Sequence, residues 1–276
     1  MQKKILLPTD FSDNAWNAII YALKLYANES CKFYLLHSIK MKTSTMSNLS
    51  NRLVDEISKK AIKDMLELKQ MVERVNSNAS HSFKIIVSEG DLKEEIELAI
   101  KRYQIQMIVM GTKGASGAKE FFFGSNTVRV ISKMRLCPVL TIPNQFDFIE
   151  PKEIAFSTDF NRFYEEKELR SLKDLVDLYN SKINIVHINN EEHLNEIQEY
   201  NSKMLESYLK NYEHHFYWIP SYTKKAEDIN DFIKEQKINM LAMVNYKHSF
   251  IEKITREPII KTIGFHPVVP FLVIPG

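Results

Sequence analysis

Residues 105–126 read IQMIVMGTKGASGAKEFFFGSN, and this stretch decides the fold. An apolar run ends at Met110, a glycine-rich loop follows, and an amphipathic segment begins near Ser125. The chain has only seven glycines, and four of them lie here: Gly111, Gly114, Gly117 and Gly124. A buried strand, a glycine loop and a helix N-terminus in this order favour anion binding, because the first N–H groups of the helix point at the ligand. The stretch therefore predicts an α/β fold with a phosphate site.

The same alternation of apolar runs and amphipathic segments extends over the first half of the chain. Continuous apolar runs are typical of parallel strands that are buried on both faces and joined by crossover helices. Strands are predicted near residues 3–8, 31–39, 83–88, 106–110 and 138–142. Helices are predicted near residues 13–28, 48–76, 91–103 and 125–134, the first capped by Ser12 or Asp13 and the third by Asp91.

The second half repeats the first. Four stretches find a counterpart in the same order, which indicates a duplicated domain. They are ILLPTDF at 5–11 with IAFSTDF at 154–160, LLH at 35–37 with IVH at 185–187, IQMIVM at 105–110 with INMLAM at 238–243, and PVLTIP at 138–143 with PFLVIP at 270–275. The sequence predicts an α/β protein of two tandem doubly wound domains, each a five-stranded, mainly parallel sheet with helices on both faces. The predicted bounds are 1–143 for the first domain, 144–151 for a linker and 152–276 for the second domain.

Composition excludes several classes of protein. The 37 basic and 35 acidic residues give a net charge of +2 and form no long block of one sign, so neither a nucleic-acid partner nor a membrane surface is expected. No apolar run is long enough for a signal sequence or a membrane span. The two cysteines, Cys31 and Cys137, lie far apart in apolar sequence, which favours a reducing, cytoplasmic compartment.

The glycine loop is neither of the two common nucleotide-binding motifs. No Gly-Lys dipeptide and no Gly-x-Gly occur in the chain, which excludes a Walker A loop and a dinucleotide fingerprint. The loop instead has the spacing Gly-x2-Gly-x9-Gly-Ser, from Gly111 to Ser125. With this spacing, the opening PTDFS at 8–12 and the EGD at 89–91, the chain resembles the universal stress protein family. ATP-binding members of that family carry this loop on a Rossmann-like fold of the adenine nucleotide alpha hydrolase type.

The resemblance implies an ATP pocket at the carboxyl ends of the first, second and fourth strands, where open α/β sheets bind ligands. The adenosine would contact Pro8, Thr9 and Asp10, with Ser38 beside the adenine and Met110 and Gly111 as the floor. The phosphates would be held by Gly114, Gly124, Ser125 and Asn126, and Lys113 and Lys119 would add positive charge. Mg²⁺ is expected to screen the phosphates.

The second half lacks this loop. Val244 and Lys247 stand where the first half has Gly111 and Gly114, and the counterpart of Gly124-Ser125 falls near 256–258, which read Arg-Glu-Pro. A β-branched residue resists positive φ and close backbone approach, and an acidic side chain repels phosphate. We expect the second domain to keep the fold without binding ATP, with Asp159 capping a turn.

Other candidate residues have structural interpretations. His37 and His187 end equivalent strands and are expected to be hydrogen-bonded core residues rather than metal ligands or catalysts. The phenylalanines at 121–123 are expected to anchor the loop on the core rather than to stack on a base. No catalytic motif for hydrolase, zincin or redox chemistry is present.

Three functions remain open at this point. The favoured one is a nucleotide-responsive stress or signalling module that binds ATP and acts on a protein partner; the others are a slow ATPase and an interaction scaffold without nucleotide. The two final strands, 139–142 and 271–274, are predicted to pair and form an intrachain pseudo-dimer in which the two sheets keep separate cores. A homodimer of chains stays open.

Overall fold

The structure is a computed structural model that describes residues 2–39, 51–112, 123–189, 193–220, 225–246 and 268–276. Strands and helices alternate along both halves of these residues. The first half contains β1 (Lys3–Pro8), α1 (Asp13–Leu25), β2 (Cys31–Ile39), α2 (Asn51–Val75), β3 (Ser82–Glu89), α3 (Leu92–Tyr103), β4 (Met107–Gly111), α4 (Ser125–Lys133) and β5 (Val139–Ile142). The second half contains β6 (Glu153–Ser157), α5 (Arg170–Tyr179), β7 (Lys182–Asn189), α6 (Glu196–Leu209), β8 (His214–Pro220), α7 (Lys225–Glu235), β9 (Met240–Asn245) and β10 (Phe271–Pro275).

The helices of the first half begin at polar residues or glycine. Ser12 caps α1, because its Oγ accepts a hydrogen bond from the N–H of Ala15 at 3.2 Å. Asp91 caps α3 by accepting from the N–H of Lys93 at 3.1 Å. Gly124 begins α4 without a capping side chain. The first cap resolves the choice between Ser12 and Asp13 that the sequence leaves open.

The ten described strands form one sheet in the order β3-β2-β1-β4-β5-β10-β9-β6-β7-β8. Every neighbouring pair is parallel except β5 and β10, which are antiparallel with Leu140 opposite Leu272. The two strand orders are equivalent, and they meet at this central pair. The predicted pairing of the final strands is therefore confirmed, and we call the β5–β10 contact the seam.

The cores of the two halves are not separate, and that expectation was wrong. One hydrophobic cluster fills each face of the sheet, and each cluster contains residues from both halves. On one face, the hydroxyl of Tyr179 in α5 donates to the carbonyls of Lys24 and Leu25 at the end of α1, at 3.2 and 2.8 Å. Helices on the two sides of the seam contact each other as well as their own strands. Apolar side chains are therefore buried without interruption across the seam.

The residues between the halves take part in this packing. The rings of Phe146 and Phe148 lie 6.2 and 5.2 Å from the ring of Tyr21 in α1. Asn17 donates from Nδ2 to the carbonyls of Pro143 and Phe146, both at 3.3 Å. The connection between β5 and β6 is thus fixed to the first half. Within the part of the chain described, no helix has the length and apolar character to cross a membrane.

Candidate functional site

The residues predicted to contact adenosine lie at the carboxyl ends of three adjacent strands. Pro8 ends β1, Ser38 lies near the end of β2, and Met110 precedes the last residue of β4. Alternation along the strands places all three on the face that carries α3 and α4. The structure therefore brings the predicted adenosine residues to one edge and one face of the sheet.

Thr9, Asp10 and Phe11 form a tight turn between β1 and α1. The Oγ1 of Thr9 accepts from the N–H of Phe11 at 3.1 Å, and Phe11 has a left-handed φ of 63°. Asp10 accepts through Oδ1 from the backbone N–H and the hydroxyl of Ser12, at 3.2 and 2.6 Å. These bonds orient the exposed Asp10 carboxylate at the edge of the sheet.

His37 supports this turn from the neighbouring strand. Its Nδ1 lies 2.9 Å from the carbonyl oxygen of Thr9, and its ring lies 4.6 Å from the ring of Phe11. In the second half, Nδ1 of His187 lies 3.0 Å from the carbonyl oxygen of Thr158, and Phe160 has a φ of 54° and stacks on the histidine ring at 5.1 Å. Both histidines are hydrogen-bonded to the turn as expected, but only His187 lies in the core, since His37 is half-buried.

Gly111 is required by helix α1. A Cβ at this position would lie 2.6 Å from Oδ1, 2.7 Å from Cγ and 2.9 Å from the carbonyl oxygen of Asn14. Among the described glycines only Gly90 has a positive φ, so the backbone angle at Gly111 does not demand glycine. Positive φ therefore explains neither Gly111 nor Gly124. Close packing of the α1 start on β4 explains Gly111 instead.

Helix α4 begins beside the end of β4. The N–H of Gly124 donates to the carbonyl of Thr112 at 2.7 Å, and the hydroxyl of Thr127 donates to the carbonyl of Gly111 at 3.0 Å. Gly124 has a φ of −62° and provides no side-chain cap, and Ser125 and Asn126 are exposed. The uncapped N-terminus of α4 thus lies at the strand edge that carries Pro8 and Met110.

A second helix start lies on the same face. The hydroxyl of Ser38 donates to the carbonyl of Gly90 at 2.7 Å, just before α3 begins. Asp91, the cap of α3, forms an ion pair with Arg129 of α4. This pair links the start of α3 to the middle of α4, and the Ser38 bond links β2 to the residue before Asp91.

Part of the predicted loop belongs to the residues that the structure does not describe. Lys113, Gly114, Gly117, Lys119, Phe121 and Phe122 lie outside the described residues. Phe123 is described, and its ring packs on the core 6.5 Å from the ring of Phe271. The expectation that the phenylalanines anchor the loop is confirmed for Phe123 alone.

At the equivalent position of the second half, two of the chain's own side chains are hydrogen-bonded to each other. The strand registers place Met107 opposite Ile5 and Met240 opposite Ile154, so Val244 corresponds to Gly111 and Tyr246 to Lys113. The hydroxyl of Tyr246 lies 2.5 Å from Oδ1 of Asp159, the counterpart of Asp10. Burial and the adjacent carboxylate both raise the pKa of Tyr246, which therefore stays a hydrogen-bond donor.

Asp159 caps a turn as expected, since it also accepts from the N–H of Asn161 at 3.1 Å. The guanidinium of Arg162 lies over the Tyr246 ring at 5.1 Å and pairs with Glu168 at 2.5 Å. Lys247 and 256–258, which the sequence comparison also used, lie outside the described residues.

Several residues of the site were missed by sequence reasoning. Asn14, Thr127 and Arg129 fix the start of α4 and the end of β4, and Tyr246 occupies the second half's position. Only Tyr246 carries a sequence signal, because the repeat aligns it with a lysine of the loop. The polar side chains of α1 and α4 look like an ordinary solvated face.

Comparisons with known proteins agree with this architecture. A universal stress protein structure from Archaeoglobus fulgidus has a TM-score of 0.73 and 19% identity, and the match covers 98% of this chain and 95% of that one. At this identity the likeness shows the fold alone. It extends over both halves.

Sequence relatives match about half of the chain. Universal stress protein YxiE of Bacillus subtilis is 27% identical over 148 residues, which are 51% of this chain and 99% of YxiE. Universal stress protein MJ0577 of Methanocaldococcus jannaschii is 28% identical over 159 residues, 51% of this chain and 95% of that protein. The sequence model of the Universal stress protein family matches residues 1–143, more than half of the 276 residues. The chain therefore belongs to the universal stress protein family.

Proposed function

We propose that the first half binds ATP and that the protein is a nucleotide-responsive module of stress signalling. One observation carries this proposal: α4 begins at Gly124 with no side-chain cap, beside the end of β4, within the Gly-x2-Gly-x9-Gly-Ser sequence. N–H groups at a helix start attract phosphate through hydrogen bonds and the helix dipole.

The residues at the strand edge suit an adenosine. Asp10 is exposed and oriented by Ser12, so its carboxylate can accept from a ribose hydroxyl. Ser38 donates to Gly90, and its oxygen can still accept from an amino group of the base. Thr9 is 7% exposed and is bonded within the turn, so its part is to hold Asp10, while Pro8 and Met110 offer apolar surface.

The phosphates would extend from this edge toward α4. Gly124, Ser125 and Asn126 would supply N–H groups and a hydroxyl, and Gly111 would keep α1 and β4 close together beneath them. Lys113, Gly114 and Lys119 would complete the loop. Mg²⁺, when bound with the nucleotide, would screen phosphate charge.

One site per chain follows from the difference between the halves. In this proposal residues 1–143 form the nucleotide-binding domain, 144–151 the linker and 152–276 a domain whose equivalent position is closed by Tyr246 on Asp159. Two free, buried thiols at Cys31 and Cys137 favour a cytoplasmic location.

Isothermal titration of the full chain tests the proposal. ATP should bind with a stoichiometry near one, and Gly124→Val should abolish binding because it places a branched side chain at the start of α4. Tyr246→Phe is the matched control, since it alters only the second half and should leave ATP affinity unchanged. Circular dichroism of each variant checks that it folds.

Each alternative function predicts a different result in these experiments. No ATP binding by the unsubstituted, folded chain would favour an interaction scaffold. Phosphate release that Gly124→Val abolishes would favour an ATPase. Two equivalent sites, or normal binding by Gly124→Val, would contradict the assignment of the loop.

A further inference from the structure

Helix α4 connects the proposed phosphate site with the second half of the chain. It has nine residues, so its two ends are only ~13 Å apart. Its last turn meets Asn245, the final residue of β9. The Nδ2 of Asn245 donates to the carbonyls of Ile131 and Ser132, at 2.7 and 3.2 Å, and the residue is 1% exposed.

These carbonyls need a partner from outside the helix. The last C=O groups of an α-helix have no N–H ahead of them, and leaving them buried without a partner is costly. Asn245 supplies one amide for two of them. The second half therefore performs the C-terminal capping of a helix that belongs to the first half.

The second half also contacts the opposite end of α4. Phe123, which precedes Gly124, packs near Phe271 of β10. Val130 and Ile131 belong to the same hydrophobic cluster as Phe271. Contacts with the second half thus lie on both sides of the N-terminal turn that would face phosphate.

The first half holds α4 by polar bonds in its first half-length and by apolar packing around Val130 and Ile131. The bonds from Thr127 and Gly124 reach the end of β4, and Arg129 pairs with Asp91. A nine-residue helix moves as a rigid unit, so an anchor at its last turn limits how far its first turn can tilt. Asn245 is the polar anchor that the second half provides among the described residues.

We infer that Asn245 is a positioning residue for phosphate binding, through which the second half completes the site of the first. This inference rests on the proposed function. Without the anchor, α4 would sample positions unsuited to the ligand, and the apparent Kd would rise by the inverse of the competent fraction. The adenosine part of the ligand, which would contact β1, β2 and β4, would be unaffected.

Titration of the full chain with ATP and with adenosine separates these effects. Asn245→Ala should raise the Kd for ATP about 3- to 10-fold, the factor expected for one lost hydrogen-bonding group, and leave the Kd for adenosine within twofold. Asn245→Ser keeps a donor and should recover part of the ATP affinity. The matched control is Asn201→Ala, which removes another buried asparagine of the second half, one that donates from Nδ2 to the carbonyl of Phe160 at 2.8 Å.

Hydrogen exchange without nucleotide gives an independent readout. The amides of α4 should exchange faster in Asn245→Ala than in the unsubstituted chain and in Asn201→Ala. Unchanged protection of α4, or an equal loss of ATP and adenosine affinity, would overturn the inference. ATP affinity of Asn245→Ala within twofold of the unsubstituted chain would refute the inference alone, whereas no ATP binding by the unsubstituted chain would refute the proposed function and the inference with it.

Discussion

Gly111→Ala should destabilise the fold although it adds a single methyl group. The new Cβ would lie 2.6 Å from Oδ1 and 2.9 Å from the backbone oxygen of Asn14, both closer than normal van der Waals contact. The side chain of Asn14 can rotate away, but its backbone belongs to α1 and moves only with the helix. The substitution therefore forces α1 and β4 apart.

The magnitude follows from three terms. Overpacking of this kind costs about 1–3 kcal/mol. Rotation of Asn14 would also break the 3.4 Å hydrogen bond from its Nδ2 to the carbonyl of Ile142, worth about 0.5–1.5 kcal/mol. The lower entropy of the unfolded chain with alanine returns roughly 0.4–1 kcal/mol. The expected net loss in the free energy of unfolding is about 0.5–4 kcal/mol.

Urea unfolding followed by circular dichroism measures this loss. Gly124→Ala is the matched control, because a φ of −62° suits alanine, and it should cost less than about 1 kcal/mol. Asn14→Ala removes two of the three close contacts, so Gly111→Ala should cost about 0.5–2 kcal/mol less in that background. Equal costs in both backgrounds, or a loss below about 0.5 kcal/mol, would refute the steric explanation.

Three further outcomes are expected. After proteolytic cleavage within 144–150, the two halves should co-elute in size-exclusion chromatography, and Leu140→Pro should weaken their association because the loss of the Leu140 N–H, which faces β4, distorts the strand that forms the seam; separation of the unsubstituted halves would count against the seam. Lys113→Glu and Lys119→Glu should each weaken ATP more than adenosine in calorimetry, by a factor that shrinks near 1 M salt, where the Debye length is ~3 Å; equal losses would indicate a misfolded loop. Burial and then the Glu150 carboxylate raise the pKa of Tyr179 to about 12 from 10.0, so its contribution to stability is present below pH 10 and lost as pH rises toward 12; Tyr179→Phe should make the free energy of unfolding in urea fall less steeply with pH over that interval, and an unchanged slope would contradict it.

The elements of the fold could be predicted because each has a local cause. Apolar runs fix the strands, and the predicted bounds of β1 and β2 agree with the structure. The continuous core could not be predicted in the same way. It depends on contacts such as that of Tyr179 with Leu25, between residues far apart in sequence.

The candidate site could likewise be predicted only where a feature has a local cause in the sequence. The position of the loop between β4 and α4 follows from its glycines and the flanking apolar patterns. The reason for Gly111 does not, because it lies in the packing of Asn14 against β4. The repeat points to the position of Tyr246, but its bond to Asp159 and the bond of Asn245 to α4 depend on contacts between elements that are distant in sequence.

The Thr-Asp-Phe turn occurs in both halves, at 9–11 and at 158–160, and this bears on how duplicated domains are recognised. Phe11 and Phe160 take the same rare backbone angle, and each is braced by a histidine from the adjacent strand. One copy lies beside a glycine loop and the other beside Val244 and Tyr246. The bonds within this turn are the same in both copies, so its role in folding does not depend on what either copy binds. A search pattern based on this tripeptide would find both copies, and only the glycines further along the chain would distinguish one copy from the other.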